Sequence, residues 1–112
     1  MIEKIVLDYL TDKLDTTVDM ERREQTIPFV IIEKTAGGRE NLLNNATIAI
    51  QSYGNTLLEA AELNDKVKTA MYDITNELDK VTYASLNSDY NYTDTTTKNY
   101  RYQAIFDIYY IE

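Results

Sequence analysis

The stretch from Ile27 to Val67, IPFVIIEKTAGGRENLLNNATIAIQSYGNTLLEAAELNDKV, restricts the fold more than any other part of the chain. Residues 29–34, FVIIEK, are apolar and β-branched, the composition that strands favour. Residues 46–53, ATIAIQSY, set Ile48 and Ile50 against Thr47, Ala49 and Gln51, the alternation of a strand with one buried face. Thr56-Leu57-Leu58-Glu59 then has capping-box spacing. The Thr56 side chain can accept from the Glu59 amide while Glu59 reaches back. Ala60, Leu63, Val67, Ala70 or Met71, Ile74 and Leu78 follow at three- and four-residue steps and predict one helix over 56–78. Glu62 stands one turn before Lys66, the favourable order for an ion pair.

The flanks extend the same reading. Ile2, Ile5, Val6, Tyr9, Leu10 and Leu14 share one stripe and predict a helix over 2–14. Residues 16–21 alternate weakly, as a short edge strand would, and Glu21–Gln25 reads as a turn or loop. Pro28 lacks an amide donor and belongs at a strand start or edge. Residues 81–86, VTYASL, read as a strand. The closing stretch, YRYQAIFDIYYIE over 100–112, places Tyr100, Tyr102, Ala104, Phe106, Ile108 and Tyr110 on one face. Arg101, Gln103, Ile105, Asp107, Tyr109 and Ile111 take the other. Neither face is wholly polar, so part of this strand is expected to meet a second layer or another subunit. Residues 87–99, NSDYNYTDTTTKN, have no core face and predict a polar hairpin loop or an extension of two strands beyond the core.

The sequence therefore predicts one α+β domain over 1–112: a mainly antiparallel four- to five-stranded sheet with two helices packed on one face. Thr35–Asn45, TAGGRENLLNN, is too long for a tight hairpin connection. It predicts a projecting loop, 35–45, mobile in the lone subunit and ordered on assembly. Gly37 and Gly38 would supply left-handed backbone there. Gly37-Gly38-Arg39 does not make a phosphate loop, which needs four residues between its glycines and then Lys with Ser or Thr.

The chain contains no Cys and no His, which removes disulfides, thiolate nucleophiles, imidazole bases and the usual zinc ligands together. The carboxylate pairs Asp12 and Asp15, Asp65 and Asp73, and Asp89 and Asp94 read as solvated surface charge rather than as an acid–base site. The expectation is a non-enzyme without metal or cofactor. A formal net charge of −8 and no basic patch argue against a general grip on DNA. The one basic pair, Arg22-Arg23, is flanked by Glu21 and Glu24. No apolar run is long enough to span a bilayer, and MIEKIVLDYL reads as a helix rather than a leader, so no membrane partner is expected and the cytoplasm is the expected site of synthesis. Ten tyrosines suit half-buried sheet faces and protein interfaces. Asp107, mid-strand among large apolar residues, invites pairing with Arg101 or Lys98 across a subunit boundary, or a solvated place on an open sheet face.

The order of segments over 28–69 and 100–112 resembles the tail-terminator or tail-completion proteins of long-tailed bacteriophages and prophages, which sit at the joint between head and tail. The resemblance implies a structural virion protein, assembled in the host cytoplasm and placed at the head–tail interface. It implies a homo-oligomeric ring, commonly a hexamer, that caps the tail tube. The implied partners are the tail-tube protein and the head connector protein, with DNA passing through an acidic lumen. The candidate interface residues are Gly37, Gly38, Arg39, Leu42, Leu43, Asp107 and Tyr109. A neighbouring connector or neck protein is the alternative, and a small ligand-binding domain is a more distant one.

Overall fold

In the computed structural model, which describes residues 1–112, the chain runs α1 (Ile2–Lys13), β1 (Thr17–Asp19), β2 (Phe29–Glu40) and β3 (Leu43–Gly54). It continues with α2 (Leu57–Tyr72), α3 (Ile74–Glu77), β4 (Val81–Asn91) and β5 (Tyr100–Tyr110). The strands form one sheet in the order β1-β2-β3-β5-β4. Only β1 is parallel to its neighbour, and the other pairs are antiparallel. The fold is thus the α+β class expected, with the two long helices on one face.

The core lies where the two kinds of periodicity meet. Ile48, Ile50, Phe106 and Ile108 from the sheet are fully buried with Val6 and Leu10 of α1 and Val67 and Met71 of α2. Each such side chain stabilises the fold by roughly 1.5–3 kcal/mol relative to exposure. The cap of α2 forms as its sequence suggests: the Thr56 hydroxyl accepts from the Glu59 amide at 3.1 Å, and the Glu59 carboxylate accepts from the Asn55 amide at 2.6 Å.

Four expectations need correction. The first concerns 35–45, which is not a loop. β2 and β3 continue to pair out to Glu40 with Leu43, leaving a two-residue turn, Asn41-Leu42. Both turn residues have positive φ, 51° and 69°, as a primed hairpin turn requires. Gly37 and Gly38 do not supply the left-handed backbone, because no glycine in the chain has positive φ. The strand character was hidden because Glu33–Leu42 is exposed throughout, so neither face carries an apolar alternation.

The second concerns the helix over 56–78, which breaks at Asp73 into α2 and α3. In an unbroken helix the Ala70 carbonyl would accept from Ile74. Here it accepts from the Asp73 amide at 3.2 Å and from the Tyr9 hydroxyl at 2.6 Å. Third, Glu62 and Lys66 form no ion pair; Lys68 is the paired lysine, joined to Asp65 at 3.4 Å and Asp89 at 3.3 Å. Fourth, Asp89 is therefore not a solvated charge. It is half-buried under α2, where it also accepts from the buried Asn64 side chain at 3.2 Å.

The polar segment 87–99 resolves as an extension of two strands. β4 runs on to Asn91, and the hairpin closes through a bridge between Asp94 and Asn99. The Asp94 carboxylate accepts from the Thr96 amide at 3.0 Å and organises the turn.

Candidate interface

The face of the sheet away from the helices is where the candidate residues gather. Strand alternation sends Ala36, Gly38 and Glu40 of β2 to this outer face, with Asn45 and Thr47 of β3, Asp107 and Tyr109 of β5, and Tyr83 and Ser85 of β4. Register aligns them in rows. Gly38, Asn45, Tyr109 and Tyr83 lie in one row, and Ala36, Thr47, Asp107 and Ser85 in the next. A shallow depression of about 240 Å³ opens here, bounded by Thr47, Tyr83, Asp107 and Tyr109.

Of the seven predicted residues, Gly37, Gly38, Arg39, Leu42 and Leu43 form the β2–β3 arm, and Asp107 and Tyr109 lie across its base. Gly38 stands in the row of Tyr109, while Gly37 and Arg39 point to the opposite side of the arm. Leu42 occupies the turn and is 76 % exposed. A leucine held at positive φ and turned to water gains nothing locally from that position. Within its own chain Asp107 meets neither Arg101 nor Lys98. Its carboxylate accepts from the Thr47 hydroxyl at 3.0 Å and the Asn87 amide at 3.1 Å, so it sits on the open sheet face. Tyr109 packs edge-on against Tyr83, with ring centroids 5.6 Å apart.

The far half of the outer face was not anticipated. Phe29 and Tyr53 stack with centroids 4.5 Å apart, and the Arg22 guanidinium lies 4.8 Å from the Tyr53 centroid. Arg101 donates to the Tyr53 hydroxyl at 2.9 Å and lies 4.5 Å from the Tyr92 centroid. A hydrogen-bonded chain continues from Tyr53 through Gln51 and Gln103 to Tyr90. These side chains are far apart in sequence. The one hint was the alternation that put Arg101 and Gln103 on the second face of β5.

On the helical side, a groove of about 1070 Å³ runs between the end of α1 and α2, lined in part by Tyr9, Lys13, Leu63, Tyr72, Asp73 and Glu77. Burial, reinforced by the Glu77 carboxylate, pushes the Tyr9 hydroxyl well above its ordinary range. The bond to Glu77, 2.6 Å long, raises the Lys13 ammonium. Both groups therefore hold their protons at neutral pH and supply no base. On Lys68, burial works to lower the value, but the bonds to Asp89 and Asp65 outweigh it and keep the ammonium charged. No three carboxylates stand close enough together to hold a metal ion. No helix is long and apolar enough to cross a membrane.

Comparison with protein-family models finds no match to the chain, and comparison with curated proteins finds none either.

Proposed function

We propose that the protein is a non-catalytic structural subunit that assembles as a ring, caps a phage tail tube and joins the tail to the head. The observation that carries this reading is the β2–β3 arm. Its β2 half is exposed from Glu33 to the turn at Leu42, while its β3 half is paired with β5 from Asn44 onward. The free edge of β2 beyond Ile31 presents unpaired main-chain groups that are open to pairing with another chain. A partner surface supplies that pairing. The resemblance of segment order to the tail-terminator family names the kind of partner: the tail tube on one side and the head connector on the other. The formal charge of −8 fits a ring lumen that offers no cations for DNA phosphates to condense on.

A phage lacking the protein tests this reading. The expected result is filled heads separate from tails, with tails of variable or excessive length. Tails of normal length already joined to heads contradict it. Uniform tails that fail to attach move the assignment to the neighbouring connector class.

A further inference from the structure

The two edges of the sheet are unequal. β1 covers the β2 edge only from Phe29 to Ile31, so Ile32–Glu40 has no strand beside it. At the other edge, β4 is unpaired on its outer side along its whole length. Three antiparallel steps separate β2 from β4, so the two edges run in opposite directions. A second copy placed side by side in the same orientation would bring its β2 antiparallel to β4 of the first. Four strands per copy then continue the alternation without a break.

The glycines of the arm say more. A Cβ on Gly37 would find its nearest neighbours at 3.5 Å, ordinary contact, and one on Gly38 would meet the Asn45 side-chain amide at a tight 3.3 Å, an obstacle that a rotation of that side chain removes. Neither residue needs positive φ. The fold of the subunit therefore gives no reason for glycine at these positions. A bulky neighbour lying over the strand does, since a cross-strand aromatic covers the bare backbone of a glycine. Such an aromatic exists on the same face and at the same level. Tyr83, 51 % exposed on the opposite edge, ends the row that begins at Gly38.

We infer that β4 of one copy adds to the free β2 edge of the next, with Tyr83 lying over Gly38 of that neighbour. The contact is head-to-tail, so it closes into a ring or runs on as a filament rather than pairing two copies about a two-fold axis. It rests on the ring reading above and specifies which surfaces make the ring. The bulges at Thr82 and Asn87 of β4 and at Thr35 of β2 confine regular pairing to the short stretch where Tyr83 and Ser85 stand level with Gly38 and Ala36.

The chain has no cysteine, so introduced thiols are the only ones present. Ala36→Cys and Ser85→Cys place thiols at the two ends of the row next to Gly38 and Tyr83. Within one chain these positions are three strand spacings apart, roughly 14 Å, too far for a disulfide, which needs Cα atoms within about 7 Å. Oxidation of the double variant is expected to give a covalent ladder on a denaturing gel, and neither single variant should cross-link to itself. As a second measurement, Gly38→Val should weaken assembly by about tenfold or more with the subunit still folded by circular dichroism.

A single variant that dimerises through its own thiol overturns the head-to-tail pairing. So does a double variant that stays uncross-linked in a sample whose native mass is oligomeric; that outcome leaves the ring reading intact. A native mass of one chain at every concentration overturns both.

Discussion

A Cβ built on Gly54 would lie 2.5 Å from the main-chain nitrogen of Ala60. The last residue of β3 thus touches the first turn of α2 backbone to backbone, and the strand-to-helix corner closes only because Gly54 has no side chain. The obstacle is main chain, which cannot rotate aside. Gly54→Ala is expected to destabilise the subunit by about 1–3 kcal/mol, as overpacking does. Urea unfolding measures it, and an unchanged midpoint would mean that the corner yields freely.

Tyr9 joins α1 to the break between α2 and α3 through the Ala70 carbonyl. Tyr9→Phe keeps the ring in the core and removes the hydroxyl. The Ala70 carbonyl retains its bond from Asp73, so the loss should be modest, about 1 kcal/mol. Thermal unfolding near neutral pH tests this. A variant as stable as the parent would show that the hydroxyl adds nothing to the junction.

How far the fold was legible follows from which residues carry local signals. Ile48 and Ile50 alternate because one face of β3 is buried, and that is visible in any window containing them. Phe106 and Ile108 give the same signal in β5. The arm gives none, because a strand exposed on both faces has no alternation to read. Its turn was hidden as well, since Leu42 is an atypical residue for positive φ. The bond from Tyr9 to the Ala70 carbonyl at the break joins residues 61 positions apart, which no local window contains. Buried Asn64 on α2 donates to Asp89, which also accepts from Lys68, again a pairing set by the fold. Among the candidate residues, the shared face of Asp107 and Tyr109 was legible from alternation along one strand. The row linking Gly38 to Tyr83 was not, because it depends on the register of three strand pairs.

Acid should loosen the β4–β5 hairpin turn. The Thr97 hydroxyl, followed by the Thr96 and Thr97 amides, holds the Asp94 carboxyl below its ordinary value of 3.8. A carboxyl depressed on folding contributes stability that is intact above its unfolded value and is lost as pH falls through its folded value. Protection of the Thr96 amide, measured against an unstructured amide at the same pH, is therefore expected to fall below about pH 4, and Asp94→Ala should lack that protection already at neutral pH. Protection of Thr96 that stays constant down to full protonation would show that the carboxylate does not order the turn.

Leu42 should separate stability from assembly. Asparagine tolerates positive φ far better than leucine. Leu42→Asn should leave the isolated subunit as stable or firmer by up to about 1 kcal/mol, and it removes the exposed apolar tip. The expected pattern is an equal or higher unfolding midpoint with weaker self-association under the proposed assembly. A variant that assembles as well as the parent would remove Leu42 from the interface.

The most direct test of the central claim is native mass by light scattering across a concentration series. The chain is 13.0 kDa. A ring-forming subunit predicts one defined oligomer, six copies if it follows the family it resembles, persisting as the protein is diluted until it falls to single chains. A single chain of 13.0 kDa at every concentration would contradict the account.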